Sequence, residues 1–326
     1  MPLDQFNRQI DYLRVSLTDA CNLRCVYCMP EHMAFRRPAE LLSDAELMRL
    51  IPIVAGLGFR KVRFTGGEPT LRRSLVELVR LTAAQPTVRA VGLTTNGILL
   101  DQLARPLAEA GLTAVNISLD TLDSAKFREI TRWGKVRDVF DALEAAEAAG
   151  LRIKLNAVPA RGLNDTADAL ALARLTFEHD WQVRFIELMP FANNAGFQSS
   201  HIVREAELRA TIEREFGPLE PVGDGRLDGE ARVFRLRGAR GIVGFISPVS
   251  APFCADCNRA RLTADGKLRL CLLRDDEFDL RALLRAGASD GEISAAVLAA
   301  VHRKPWGHDL GRDVIPASRG MSEIGG

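Results

Sequence analysis

Six short stretches whose apolar side chains alternate with period two, each followed by a stretch of helical period, run through the first two-thirds of the 326-residue chain. The strands so marked are 13–17, 61–64, 91–94, 114–119, 152–158 and 183–188. The first helix opens on the capping box Ser43-Asp44-Ala45-Glu46 and sets Leu47, Leu50, Ile51 and Val54 on one stripe. Others follow over 71–84, 99–110, 136–149 and 165–178, with Gly111 and Gly150 as stops. Strands that alternate with helices pair in parallel, wind one way and can curl into a barrel. Six units fall short of the eight that close one. The expectation is an α/β fold, an incomplete (β/α)6 TIM-type barrel over residues 1–217, with a smaller C-terminal α+β domain over 218–326.

That division rests on a change of pattern. After a helical stretch at 204–216, the Gly-, Pro- and Asp-rich segment 217–229 reads as a linker or loop. Strands at 233–236 and 241–246 and a hairpin over 262–270, turning at Asp265-Gly266, predict a small sheet of their own, followed by helices near Leu280 and Ile293.

Residues two apart in a strand share a face. On one face stand Arg14 with Ser16, Lys61 with Arg63 and Thr65, Asn116 with Ser118 and Asp120, and Lys154 with Asn156. The opposite parity carries Leu13, Val15, Leu17, Val62, Phe64, Val115, Ile117, Leu119, Ile153 and Leu155. The apolar face packs under the helices, so the cations line the inside of the curve, where closed barrels carry Val, Ile and Leu. Buried cations cost several kcal/mol each unless paired, and Asp120 and its like are too few to neutralise them. A bound polyanion such as a phosphate-rich substrate would. The alternative is a register slipped by one residue, which puts the same cations outside. At the end of the second strand, Gly66-Gly67 before Glu68-Pro69 allows close backbone approach to a ligand at the carboxyl edge of a parallel sheet.

A formal net charge of +1 gives no general attraction to nucleic acid or anionic membrane, so neither is expected as a partner. The first residues show no apolar signal segment and no stretch is long enough to span a bilayer, which makes the cytoplasm the expected compartment. Thiols there stay reduced, and the six cysteines fall into two triplets that suit metal or cluster ligation better than disulfides. Cys21-x3-Cys25-x2-Cys28 lies in the loop after the first strand. Three thiolates leave one iron of a cubane cluster open, the mark of a catalytic centre. A structural zinc with a borrowed fourth ligand, His32 being nearest, is the competing reading. The second triplet is Cys254-x2-Cys257 with Cys271 across the hairpin. Taken alone it admits a cluster, a zinc knuckle completed by His302 or His308, or a Cys271 simply buried in the sheet.

Together these residues resemble the radical S-adenosylmethionine family, and within it the enzymes that cyclise GTP at the start of molybdenum-cofactor biosynthesis. The likeness runs almost end to end, through Arg14, the first triplet with Tyr27, and Arg63-x-Thr65-Gly66-Gly67-Glu68-Pro69. It continues in Thr94-Thr95-Asn96-Gly97, Asn116-x-Ser118-Leu119-Asp120 and Arg184-Phe185-Ile186-Glu187-x-Met189, then in Cys254-x2-Cys257-x-Arg259-x-Arg261 with Cys271 and the final Gly325-Gly326. No motif position departs from the pattern.

The resemblance implies a lyase-type enzyme with two [4Fe-4S] clusters. Cys21, Cys25 and Cys28 would hold the one that cleaves S-adenosylmethionine to a 5'-deoxyadenosyl radical, with Tyr27, Gly67, Ser118 and Met189 positioning that cofactor. Cys254, Cys257 and Cys271 would hold a second whose open iron meets guanine. Arg63, Thr94 and Lys154 would bind GTP, with Lys61 and Arg184 on its phosphates, while Arg14, Arg259 and Arg261 would be catalytic residues that also contact the substrate. The product would be (8S)-3',8-cyclo-7,8-dihydroguanosine 5'-triphosphate, passed on to cyclic pyranopterin monophosphate synthase. A reducing electron donor is implied, and the chain is expected as a monomer or homodimer. Gly325-Gly326 resembles the family's tail that reaches toward the site, whereas sequence alone favours a frayed terminus. Two rivals stand: a radical enzyme with an auxiliary cluster acting on a peptide or another small molecule, and a zinc-stabilised nucleotide-binding module without catalysis.

Overall fold

The computed structural model describes residues 2–191, 199–223, 229–310 and 315–325. Its centre is six parallel strands in sequence order: β1 (Tyr12–Ser16), β2 (Lys61–Thr65), β3 (Ala90–Thr95), β4 (Ala114–Ser118), β5 (Arg152–Ala157) and β6 (Gln182–Ile186). Helices α1 (Asp44–Gly56), α2 (Leu75–Ala83), α3 (Leu100–Glu109), α4 (Ser124–Thr131), α5 (Val136–Ala148) and α6 (Ala167–Glu178) connect them. The capping box of α1 forms as the sequence expects, with Ser43 Oγ accepting from Glu46 N at 3.2 Å and Glu46 Oε2 accepting from Ser43 N at 2.7 Å. Helix α4, capped by Asp123, had no counterpart in the sequence reading, because its eight residues give too few turns for a clear period.

The C-terminal part contains α7 (Glu205–Phe216), β7 (Leu219–Pro221), β8 (Arg232–Leu236), β9 (Ile242–Ile246), β10 (Arg259–Leu262), β11 (Lys267–Arg269), β12 (Glu277–Asp279), α8 (Leu280–Arg285) and α9 (Asp290–His302). These strands do not form a sheet of their own, contrary to the expectation. They extend the central sheet at both edges, in the order β12-β11-β10-β1-β2-β3-β4-β5-β6-β9-β8-β7. Strand β9 runs parallel to β6 and β10 parallel to β1, so eight adjacent strands are parallel although only six belong to consecutive βα units. The physical reason is edge protection: β1 and β6 would otherwise present unpaired backbone beside a buried face. Period-two patterning marks a strand but not its partner.

The apolar parity packs as anticipated. Leu13, Val15, Val62, Phe64, Val115, Ile117, Ile153 and Leu155 all belong to one buried core with the helices. No helix among the described residues is long and apolar enough to cross a membrane.

Candidate active site

The registers set the polar parity in rows across the concave side. Arg261, Arg14 and Arg63 are cross-strand neighbours on β10, β1 and β2, and Arg63 is followed by Gly92 on β3. All three arginines are buried, as are Arg184 and Arg259, which disposes of the slipped register. The Arg63 guanidinium lies over Gly92, where a Cβ would stand 2.8 Å from its Cζ, and donates to the Tyr12 hydroxyl at 2.8 Å and to Leu93 O at 2.7 Å. Burial alone would raise the Tyr12 phenol, but Arg63 and Arg14 pull it down to about 8. Burial, with the charges of Arg14 and Arg259, lowers Arg261. Glu230 lines the same cavity, and although burial raises it, Arg259, Arg184, Arg14 and Arg63 hold it well below the usual carboxylate range.

Cys21, Cys25 and Cys28 open into that cavity from the loop after β1. Gly67 N donates to Thr18 O and Glu68 N to Ala20 O, each at 2.7 Å, and a Cβ on Gly67 would stand 2.2 Å from Ala20 O. The close approach that the paired glycines permit is therefore to the backbone of the cysteine loop, a difference from the ligand approach the sequence suggested. Glu68 is a hub beneath them, accepting from Thr95 Oγ1 and Asn96 N at 2.7 Å. Asn96 in turn donates to Asn22 Oδ1 at 2.7 Å and faces Cys21 Sγ at 3.7 Å. On the far side Tyr27 OH donates to Asp120 Oδ2 at 2.5 Å, and Val158 N to Oδ1 at 2.7 Å. Burial pushes Asp120 up to about 6, Cys21 to about 11 and Cys28 to about 12. Such thiols stay protonated in water at neutral pH, and a metal that binds them displaces their protons to solvent.

Cys254, Cys257 and Cys271 share an adjoining pocket, and Arg259 and Arg261 line both it and the cavity of the first triplet. The backbone N–H of Leu23, two residues on, donates to Cys21 Sγ at 3.4 Å, and the backbone N–H groups of Arg259 and Leu273 bear in the same sense on Cys257 and Cys271, favouring their thiolate forms. Hydrogen bonds of this kind stabilise thiolate sulfur in iron-sulfur sites. His308 also lines the second pocket, but its Nε2 donates to Pro248 O at 2.7 Å and its Nδ1 accepts from Leu310 N at 3.3 Å. Neither ring nitrogen is left for a metal. His302 and His32 are exposed, and among the described residues no three His, Cys, Asp or Glu side chains are gathered as a single ion needs. Among the described residues each site offers three thiols and no free histidine, a donor set of the kind an iron-sulfur cluster takes.

The tail enters the cavity wall. Ile324 is buried against Phe191 and Leu273, and the Gly325 carbonyl accepts from Arg14 Nη2 at 3.3 Å and Arg261 Nη1 at 2.9 Å. A frayed terminus is ruled out as far as Gly325; Gly326 lies outside the described residues.

Of the residues singled out from sequence, Arg14, the first cysteine triplet, Tyr27, Gly67, Thr94, Ser118, Met189, Arg259 and Arg261 line one cavity. Arg63, Lys154, Lys61 and Arg184 do not line it, although their strands carry its wall. Thr94 Oγ1, Asn116 Oδ1 and Arg259 Nε are buried without a hydrogen-bond partner among the described residues, as donors and acceptors for a ligand would be. Sequence reasoning missed Glu230, Arg8 and Lys304. Each is a single charged residue with no periodic or motif signal of its own.

A parallel sheet with a three-cysteine loop at its carboxyl edge defines a class, the radical S-adenosylmethionine enzymes, and residues 15–174 match the Radical SAM superfamily. Residues 181–310 match Molybdenum Cofactor Synthesis C. The GTP 3',8-cyclase of Moorella thermoacetica is 47% identical over 325 residues, covering 99% of each chain. That of Thermodesulfovibrio yellowstonii is 44% identical over 326 residues with the same coverage. The chain belongs to the GTP 3',8-cyclase family, which carries with it S-adenosylmethionine and iron-sulfur chemistry. In fold it is similar to Streptococcus suis SuiB bound to precursor peptide SuiA (TM-score 0.64, 15% identity, 92% of this chain and 66% of that one). It is also similar to methylornithine synthase PylB (TM-score 0.52, 17% identity, 90% and 87%).

Proposed function

We propose that this chain converts GTP to (8S)-3',8-cyclo-7,8-dihydroguanosine 5'-triphosphate, with one [4Fe-4S] cluster on each cysteine triplet. The observation that carries this reading is that Arg259 and Arg261 border both the cavity of the first triplet and the pocket of the second. A nucleotide held there reaches both centres. When bound, the clusters and S-adenosylmethionine supply the electron and the radical that removes the ribose 3' hydrogen ahead of ring closure on guanine C8.

The protein's own contribution is binding and orientation. Tyr27, Gly67, Ser118 and Met189 would seat S-adenosylmethionine beside Cys21, Cys25 and Cys28. Arg14, Arg259 and Arg261 would hold the substrate between the two thiol sets, since guanidinium forks grip phosphate and guanine edges in pairs. Thr94 offers a hydroxyl with no partner among the described residues, while Arg63 and Lys154, with Lys61 and Arg184, would supply positive potential from behind the wall. The Tyr27–Asp120 bond fixes the cysteine loop against the sheet, and the surrounding side chains shield the reacting atoms from water. A reducing donor, transfer of product to cyclic pyranopterin monophosphate synthase, a monomeric or homodimeric state, a cytoplasmic setting and a division of the chain at 217/218 complete the reading.

The test is anaerobic reconstitution followed by incubation with GTP, S-adenosylmethionine and a strong reductant. The expected result is about eight irons per chain, 5'-deoxyadenosine and a cyclised guanosine triphosphate. Absence of both products defeats the proposal, and four irons in place of eight removes the second cluster from it.

A further inference from the structure

Lys304 follows α9 and is 2% exposed. Its ammonium donates to Arg259 O at 2.8 Å and to Leu270 O, and its charge acts on the Cys257 thiol. Arg259 lies two residues after Cys257 and Leu270 one before Cys271. One buried cation thus ties together the two arms of the hairpin that carry the second triplet. Its segment is itself anchored, since Arg8 donates to Trp306 O at 2.7 Å, Pro305 O at 2.6 Å and Cys254 O at 2.5 Å, while Asp4 holds Arg8 at 2.7 Å. Residues remote in sequence therefore place fixed positive charge beside the second thiol set, and neither Lys304 nor Arg8 lines the cavity or the adjoining pocket.

Resting on the reading that this triplet holds a cluster, we infer that Lys304 is a positioning residue for it. The ammonium fixes the two hairpin arms that carry Cys257 and Cys271, through Arg259 O and Leu270 O, and as a buried positive charge there it makes the site easier to reduce. A buried positive charge beside a sulfur ligand favours the reduced, more negative state, and hydrogen bonds to cluster sulfurs act in the same direction. Nothing in this role requires Lys304 to touch the substrate.

The test uses full-length protein carrying Cys25→Ala, so that only the second triplet can be loaded. It compares Lys304→Met and Lys304→Arg with the Lys304 parent by iron content and by redox titration followed by electron paramagnetic resonance. At a fixed solution potential, Lys304→Met is expected to lower the reduced-to-oxidised ratio at least tenfold, equivalent to 59 mV for a one-electron couple. Lys304→Arg, which keeps the charge, is expected to stay within about threefold of the parent. If Lys304→Met takes up no iron, retention of iron by Lys304→Arg supports the inference and its loss there overturns it. A Lys304→Met ratio equal to the parent's, or an equal shift in both variants, also overturns it. A parent that binds no iron defeats the two-cluster reading and this inference with it, whereas a loaded parent with an unmoved potential defeats the inference alone.

Discussion

Arg261 Nη1 donates to the Gly325 carbonyl at 2.9 Å, so the last described residue of the chain is held by a strand that also borders the second thiol set. Arg14 grips the same oxygen from β1. Gly325 has φ +70°, and a Cβ there would stand 2.8 Å from Thr65 Cγ2. Gly325→Ala is expected to lower formation of cyclised product at least tenfold, about 1.4 kcal/mol of transition-state stabilisation, while 5'-deoxyadenosine still forms. Quantifying both products in one assay checks it, and an unchanged ratio removes the tail from the site.

Gly92 leaves room for the Arg63 guanidinium to lie flat across β3. Gly92→Ala forces that group off the Tyr12 hydroxyl and Leu93 O. We expect GTP binding to weaken by about tenfold, the worth of 1.4 kcal/mol, with S-adenosylmethionine binding unaffected. Calorimetry with each ligand distinguishes this outcome from a general loss of folding, which would weaken both.

Glu230 is held low by Arg259, Arg184, Arg14 and Arg63, so on the proposed reading it would compete with the substrate's triphosphate for them. Glu230→Gln removes that competitor, and GTP is expected to bind several-fold to tenfold more tightly at low salt, by up to about 1.4 kcal/mol. The same change removes the carboxylate charge that Arg259, Arg184, Arg14 and Arg63 share, so the nucleotide-free protein should unfold at lower temperature. Weaker GTP binding in this variant would mean that Glu230 contacts the nucleotide directly.

Asp120 gives a pH signature. Its carboxyl rises from 3.8 to about 6 on folding, so the native state holds the proton more tightly than the unfolded chain. The resulting stabilisation is fully present below about pH 4 and is lost as pH rises through 6. Relative to Asp120→Asn, the cluster-free protein should gain about 1.4 kcal/mol of stability between pH 7.5 and pH 5. Urea unfolding of both proteins at the two pH values measures it, and parallel pH dependence would mean that Asp120 is not shifted.

The strand parity was legible because burial acts on alternate residues, and Arg14, Arg63 and Lys154 stood out against the apolar partners that surround them. The cysteine spacings were legible because a chelating loop must be local. Pairing of β10 with β1 was not, since the residues that meet there, such as Arg261 and Arg14, carry no mutual signal in a single sequence. Lys304 was hidden for a related reason: its acceptors, Arg259 O at the start of β10 and Leu270 O just past β11, are remote in sequence, and a lysine at a helix end ordinarily faces water. The glycine pair was seen, but its neighbour was misjudged, because a strand end says nothing about which backbone crosses Gly67.

Strand β1 is flanked by β2 on one side and by β10 on the other. The loop with Cys21, Cys25 and Cys28 leaves the ribosome long before Arg259 does. At 5–20 residues per second that interval lasts roughly ten seconds to most of a minute. Through that time the sheet that walls in the first thiols lacks its final neighbour, and loop-closure entropy delays the pairing further. Oxygen and stray metal therefore reach these thiols most easily in the nascent chain, and the order of synthesis itself argues for loading iron only after the whole chain is made.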